Sequence, residues 1–383
     1  MDEVIRQACT GTSPNDVVLS VRELPPHYRG KVALISLRFK PAFVSLLVAF
    51  GKAFSDLGLK VEFVLDSAYV EFAELSRVAP IVVYSKTASA GSYTHGIFFN
   101  VSVHNQRLAS SLKNEGARIA YVYHEPWQLS FSHLKSEGIR GSFTSLLAHQ
   151  ASIGMLKVAD TIILPSRYGG LIYGQGDIRH NPRVFYIPLL FDDEGGDALL
   201  QGLDGKRYFS YMGAICRAHG FDQYLSFMRH SFRRNLGLKF MIASALPLPA
   251  YVMKDNLIQS NLDKITIQCG RPLQNDEINK CYAASFCVWN LYRRSTQSAV
   301  LPKAFMFGTP VIANRTGAFP EFIKDGYSGR FASANDDLGI ESALEDIRQN
   351  LARYSNNCRD TFLNTFFYRS NLKLLEKLLE QRY

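Results

Sequence analysis

Tyr292-Arg293-Arg294-Ser295-Thr296-Gln297-Ser298-Ala299-Val300-Leu301-Pro302-Lys303-Ala304-Phe305-Met306-Phe307-Gly308-Thr309-Pro310-Val311-Ile312-Ala313 is the stretch on which the reading of this chain turns. It follows Phe286 to Asn290, an apolar run that reads as a buried strand. Ser295 to Ala299 are small or polar and stand just before a short helix. Backbone N–H groups at such a helix start can hold a phosphate. The helix stops at Gly308, and Pro310-Val311-Ile312 opens the next strand. Two tight turns follow, Gly317-Ala318-Phe319-Pro320-Glu321 and Asp325-Gly326-Tyr327-Ser328-Gly329.

Working outward, strand and helix alternate in both directions. Upstream strands are expected at Tyr208 to Met212, Lys239 to Ala243 and Ile265 to Gln268. The first half repeats the pattern, with strands at Val32 to Leu37, Val61 to Leu65, Ile81 to Tyr84, Ile97 to Val103, Arg118 to Tyr123, Thr161 to Leu164 and Val184 to Ile187. Helices fall at Val44 to Leu57 and Asn105 to Asn114. This predicts two doubly wound Rossmann-like α/β domains, each a parallel sheet with helices on both faces, facing one another across a cleft. The pattern breaks at Asp192-Asp193-Glu194-Gly195-Gly196, which reads as an exposed linker. The expected division is therefore 1–195 for a first Rossmann-like domain and 196–362 for a second. A helix with an apolar stripe, Leu372, Leu375 and Leu379, lies within 363–383.

Composition narrows the function. Of 383 residues, 47% are hydrophobic and 20% charged, which suits a globular protein. No run of eighteen apolar residues suggests a membrane span, and the start lacks a secretory pattern. Six cysteines without CxxC or CxxH spacing argue against a zinc ribbon and for reduced thiols in the cytoplasm. Residues 1–195 carry 19 Lys+Arg against 17 Asp+Glu, and residues 196–383 carry 24 against 17. The basic excess of the second half suits a phosphate-bearing ligand or an anionic membrane surface. Nucleic acid is not expected, because no RNP, zinc-finger or helix-turn-helix spacing occurs.

The segment quoted above resembles the two-domain GT-B glycosyltransferases, specifically glycosyltransferase family 4. Its members carry E-x7-E-A-x-A-x-G-x-P-V-I, then G-G-x-P-E and D-G-x-x-G. This chain has Ala304, Gly308-Thr309-Pro310-Val311-Ile312, Gly317, Pro320-Glu321, Asp325-Gly326 and Gly329 at matching spacing. The likeness is specific over roughly 205–335 and extends at the level of strand order over 30–195. It also implies that the terminal helix packs back onto the first domain. The departures are equally definite. The two motif glutamates fall on Ser295 and Lys303, and an ammonium is donor-only, so Lys303 is expected to reach a phosphate rather than a ribose. The diphosphate-binding Arg and Lys of G-R-x4-K-G fall on Ala214 and His219 within Gly213-Ala214-Ile215-Cys216-Arg217-Ala218-His219-Gly220, with Arg217 as a partial substitute.

The resemblance implies a metal-independent transferase that moves a sugar, with retention, from a nucleotide-diphosphate donor to a glycan or lipid-linked acceptor in surface polysaccharide assembly. No cofactor is expected. The donor side would comprise Gly213, Arg217, His219, Ser295, Thr296, Gln297, Ser298, Ala299 and Lys303. In the first domain His124-Glu125-Pro126 follows a strand end. The resemblance places a histidine here near the donor sugar, and an inverting enzyme would draw its base from Glu125 or His124. Arg38 and Lys40, in the first strand-to-helix loop, are candidates for the acceptor side. Without a carboxylate at 303, a deoxythymidine-diphosphate sugar becomes a candidate donor. The rival expectations are a nucleotide-sugar epimerase on a similar fold, and a catalytically weak nucleotide-sugar-binding subunit.

Overall fold

The computed structural model describes residues 30–85, 93–124, 126, 146–174, 182–196 and 202–380. Glu125, one of the candidate bases, lies outside the described residues.

The first sheet contains β1 (Lys31–Ser36), β2 (Lys60–Leu65), β3 (Ile81–Val83), β4 (His95–Phe98), β5 (Arg118–Val122), β6 (Thr161–Leu164) and β7 (Arg183–Tyr186). All pairs are parallel, in the order β3-β2-β1-β4-β5-β6-β7. The apolar strand sequences suit burial on both faces. In β1, Val32 and Leu34 join one core while Ala33 and Ile35 join the core on the opposite face. Helices α1 (Val44–Asp56) and α2 (Asn105–Asn114) follow β1 and β4, and α3 (Arg167–Gly174) follows β6.

The second sheet comprises β8 (Tyr208–Met212), β9 (Lys239–Ser244), β10 (Ile265–Cys269), β11 (Ser285–Asn290), β12 (Val311–Ala313) and β13 (Gly329–Phe331), ordered β10-β9-β8-β11-β12-β13 and also parallel. Its helices include α4 (Phe221–Arg234), α5 (Asn275–Ala283), α6 (Val300–Met306), α7 (Asp337–Gln349) and α8 (Leu351–Thr361). In each sheet the strand order reverses beside the first strand, between β1 and β4 and between β8 and β11. The loops leaving those strands line the crevice where ligands of such sheets bind.

Three expectations need correcting. The fourth strand ends at Phe98 instead of running to Val103, because Asn100 is buried and turns inward, its Nδ2 donating to Ser36 Oγ at 2.7 Å and to Arg38 O. The turn ending at Gly329 also begins a sixth strand, β13, too short to show a period. The acidic linker is not an exposed one. Asp192 pairs with Lys52 of α1, Asp193 with Arg359 of α8, and Glu194 with Lys303 of α6. Three successive carboxylates therefore tie the crossover to elements of both sheets.

The chain returns to the first sheet after α8. Phe191 N donates to Phe366 O at 2.9 Å and Tyr368 N donates to Phe191 O at 3.1 Å. Tyr368 OH donates to Asp56 at the end of α1 at 3.0 Å. The final helix, α9 (Leu372–Leu379), buries Leu375, Leu378 and Leu379, and Arg183 of β7 donates to Glu380 O at 3.1 Å.

Candidate active site

The site is built from loops at the carboxyl ends of the strands. After β8, Gly213 turns the chain with φ of 103°, a left-handed conformation that favours glycine. A Cβ there would meet Val300 Cγ2 at 3.6 Å, so this turn backs onto the first residue of α6. The loop from 213 to 220 is stitched to the one leaving β11. Arg293 N donates to Ala218 O at 2.9 Å, Arg293 Nη1 to Arg217 O at 2.7 Å, and Trp289 Nε1 to His219 O at 3.2 Å. Asp222 completes the clasp by accepting from both terminal nitrogens of Arg293, at 2.6 and 2.8 Å.

Within this wall Arg217 is exposed and its guanidinium has no partner among the described residues. His219 lies flat on Tyr292, ring centroids 4.3 Å apart and 13° from parallel. Burial lowers its pKa, so the ring is neutral at physiological pH. Ser295 Oγ donates to Gln297 O at 3.0 Å, and Ser298 Oγ accepts from Val300 N at 3.3 Å. Gly317 has φ of 62°, and a Cβ there would fall on the Ser295 carbonyl. The two motif pieces are thus packed backbone to backbone.

Lys303 requires a correction. It was expected to reach a phosphate, but it is 6% exposed and turned away from this loop. Its ammonium donates to Glu194 Oε2, to Asn275 Oδ1 at 3.1 Å and to Asn279 Oδ1 at 3.0 Å. Those three bonds use its three protons. Burial alone would raise the Glu194 pKa, but the Lys303 charge and hydrogen bond, with Asn279 and Ser45, bring it below the usual value. The position is a structural tie at the crossover.

The first domain meets this wall directly. Gln297 Nε2 lies 3.2 Å from His124 Nδ1, and Thr296 Oγ1 donates to His124 O at 3.3 Å. Phe43 stacks on His124 at 4.8 Å, and the Lys40 ammonium lies over Phe43, 5.3 Å from its centroid. Burial, with the Lys40 charge, pushes the His124 pKa down to about 3, so the imidazole is neutral and a weak base. Lys40 thus belongs to the His124 cluster. Arg38, on the same loop, is exposed, and its backbone carbonyl accepts from Asn100.

A second bridge spans the domains. Ser166, just before α3, donates through Oγ to Thr296 O at 2.9 Å and accepts from Gly169 N at 2.9 Å. Glu321, of the Pro320-Glu321 turn, accepts from the backbone N–H of Arg167 and Tyr168. Sequence reasoning missed Ser166, Asp222, Tyr292 and the bridging role of Glu321. Glu321 lay in a recognisable turn motif and Tyr292 at the head of the decisive stretch, while Ser166 and Asp222 carried no signal. Among the described residues no group of three His, Cys, Asp or Glu gathers as metal ligands would. No helix of the described residues is long and apolar enough to cross a membrane.

Residues 206–350 match the family model described as Glycosyl transferases group 1. The described residues have the GT-B fold. It superposes on sucrose-phosphate synthase from Thermosynechococcus elongatus with a TM-score of 0.65 at 14% identity, covering 91% of this chain and 98% of that one. HepE from Anabaena in complex with UDP-glucose gives 0.66 at 16% identity, covering 92% and 99%. A TarM variant from S. aureus in complex with fondaparinux, alpha-GlcNAc-glycerol and UDP gives 0.67 at 11%, covering 92% and 100%. No curated protein matches the sequence. The fold is that of the GT-B proteins, and residues 206–350 of the second sheet's domain match the group 1 glycosyl transferase model.

Proposed function

We propose that this protein transfers a sugar from a nucleotide-diphosphate donor to a hydroxyl of a glycan or lipid-linked acceptor. The observation that carries the reading is the contact between Gln297 and His124, which sets the loop between β11 and α6 against a strand-end histidine of the other domain. The donor diphosphate would lie along that loop and the Gly213 turn, in reach of the unpaired Arg217 and the backbone at Ser298 and Ala299. Donors aimed at a departing diphosphate stabilise the charge it develops. His124, neutral and buried, is poorly suited to take a proton. That favours retention. The interdomain bonds exclude water, whose attack would hydrolyse the donor. Solved structures of HepE hold UDP or UDP-glucose, and that of the TarM variant holds fondaparinux, alpha-GlcNAc-glycerol and UDP.

The domains proposed are 1–195 for the acceptor side, 196–362 for the donor side and 363–383 as the returning segment. Arg38 and Lys40 would face the acceptor. The absence of a carboxylate at position 303 favours a donor without a ribose 2′-hydroxyl, such as a deoxythymidine-diphosphate sugar. The basic second half suits work beside an anionic membrane surface during surface polysaccharide assembly. A panel of uridine, guanosine, cytidine, adenosine and deoxythymidine nucleotide sugars, read by thermal shift and by released nucleoside diphosphate, tests the reading. One donor should stabilise the fold and be slowly hydrolysed. No binding by any of them would sink it.

A further inference from the structure

At the end of the second sheet remote from the cleft, the starts of β8, β9 and β11 border a cavity of about 300 Å³. Lys206, Arg207, Lys239 and Arg348 line it beside Phe286, and no carboxylate does. Several arginines of this domain are matched elsewhere: Arg229 with Asp255, Arg271 with Glu277, Arg293 with Asp222, Arg330 with Asp346. None of the four cations lining the cavity has an acidic partner among the described residues.

Helix C-termini converge at this end of a parallel layer, and they attract cations of their own. That accounts for Lys206, whose Nζ donates to Phe307 O and Thr309 Oγ1, both at 2.8 Å, closing the end of α6. It covers Arg348, in the last turn of α7 and 5.9 Å from the Phe286 centroid, but not Lys239, and neither side chain hydrogen-bonds to anything among the described residues. Arg207 reaches only Asp204 O, at 3.5 Å. Lys206 is itself surrounded by neutral acceptors, and burial lowers its pKa to about 8. Arg207, Lys239 and Arg348 are exposed, and four like charges around one cavity repel one another with no carboxylate in its lining to offset them.

We propose that this cavity binds the phosphate group of a ligand other than the sugar donor, gripped by Arg207, Lys239 and Arg348 with Lys206 behind it. Two guanidinium groups offer the bidentate donors that phosphate oxygens accept. The site is remote from the Gly213 turn, so it stands independently of the transferase reading of the cleft.

The test uses the full chain and two probes: inorganic phosphate, followed by calorimetry, and phosphatidylcholine vesicles with or without phosphatidic acid, followed by co-sedimentation. The Lys239→Gln/Arg348→Gln double variant should weaken the binding by about tenfold or more. Arg217→Gln, in the donor wall, should leave the binding to phosphatidic acid vesicles unchanged. So should Lys60→Gln/Arg107→Gln, which removes two exposed cations of the first domain. Phosphate-dependent protection against thermal unfolding should vanish in the Lys239/Arg348 variant alone. Binding of the free ion marks a soluble ligand, and binding of acidic vesicles alone marks a lipid headgroup. Failure of both probes overturns the proposal. Equal weakening in the two double variants also overturns it, by reducing the effect to net charge.

Discussion

Glu321 of the second domain accepts hydrogen bonds from the backbone N–H of Arg167 in the first, at 2.8 and 2.9 Å. A carboxylate at a helix start satisfies N–H groups that have no partner within the helix and complements the positive end of its dipole. One side chain of the second domain thus caps a helix of the first, and that cap holds only while the cleft is shut. Charge-assisted hydrogen bonds contribute roughly 1.5–3 kcal/mol each. Glu321→Ala is therefore expected to enlarge the radius of gyration in small-angle scattering and to slow sugar transfer by about tenfold or more. Its melting temperature should change little. Scattering identical to wild type would show that the cap does not hold the cleft.

The contact of Gly317 with Ser295 separates two glycines that look alike in sequence. Both Gly317 and Gly326 have positive φ, 62° and 71°. A Cβ at Gly317 falls on the Ser295 carbonyl, whereas at Gly326 nothing lies within 4 Å. Gly326→Ala should cost only the left-handed penalty, about 1–2 kcal/mol. Gly317→Ala must also displace the loop carrying Gln297, and should remove donor binding and His124 contact together. Equal losses of stability and donor affinity in the two variants would count against this packing.

Lys303 and Glu194 form a half-hidden pair at the crossover, with side chains 8% and 16% exposed. Removing one partner of a buried pair leaves an uncompensated charge and costs about 3–5 kcal/mol. Lys303→Met should cost that much in urea unfolding at neutral pH, while Lys303→Met/Glu194→Leu should recover much of it. The folded Glu194 pKa is depressed, so its contribution is present above the unfolded value and is lost as pH falls through the folded one. The penalty of Lys303→Met should accordingly shrink in acid. Additive single losses at every pH would refute the coupling.

Two histidines set an acid limit. Burial, followed by nearby Lys40, takes His124 to about 3, and burial, followed by Arg118, takes His95 to about 4. Both rings fold neutral. Below the unfolded value, near 6.5, the unfolded chain binds protons that the folded chain refuses, so stability falls with pH down to each folded value. The slope is at most about 1.4 kcal/mol per pH unit for each ring. The His95→Gln variant should unfold less steeply between pH 6.5 and 4.5 than wild type, without altering donor binding. An unchanged pH slope would show that His95 is not buried neutral.

Much of this architecture was legible from residue patterns. Strands such as Thr161–Leu164 and Tyr208–Met212 begin and end where the apolar runs do, because both faces of a parallel sheet are covered. The gathering of Gly213, Arg217, His219 and Ser295 to Ala299 could be anticipated because loops after neighbouring strands must emerge together. Long-range partners could not. Nothing in the spacing of Asp192, Asp193 and Glu194 names Lys52, Arg359 and Lys303, which lie 109 to 166 residues away. An acidic, glycine-rich string looks the same whether it faces water or three cations. Lys303 misled for the same reason: its type is visible in sequence, but the direction of its side chain depends on Asn275 and Asn279, two turns of another helix.

The return of α9 across β7 also sets an order of events during synthesis. The helix that covers Arg183 and buries Leu378 and Leu379 leaves the ribosome only after every strand of the second sheet has been made. Until then the first sheet must wait with that flank bare, and Phe191 without the carbonyl of Phe366. The translating chain therefore carries an exposed apolar seam through the making of nearly half its length. Nascent chains arrested before position 366 should bind holdase chaperones along that seam, and release of residues 366–380 should free them.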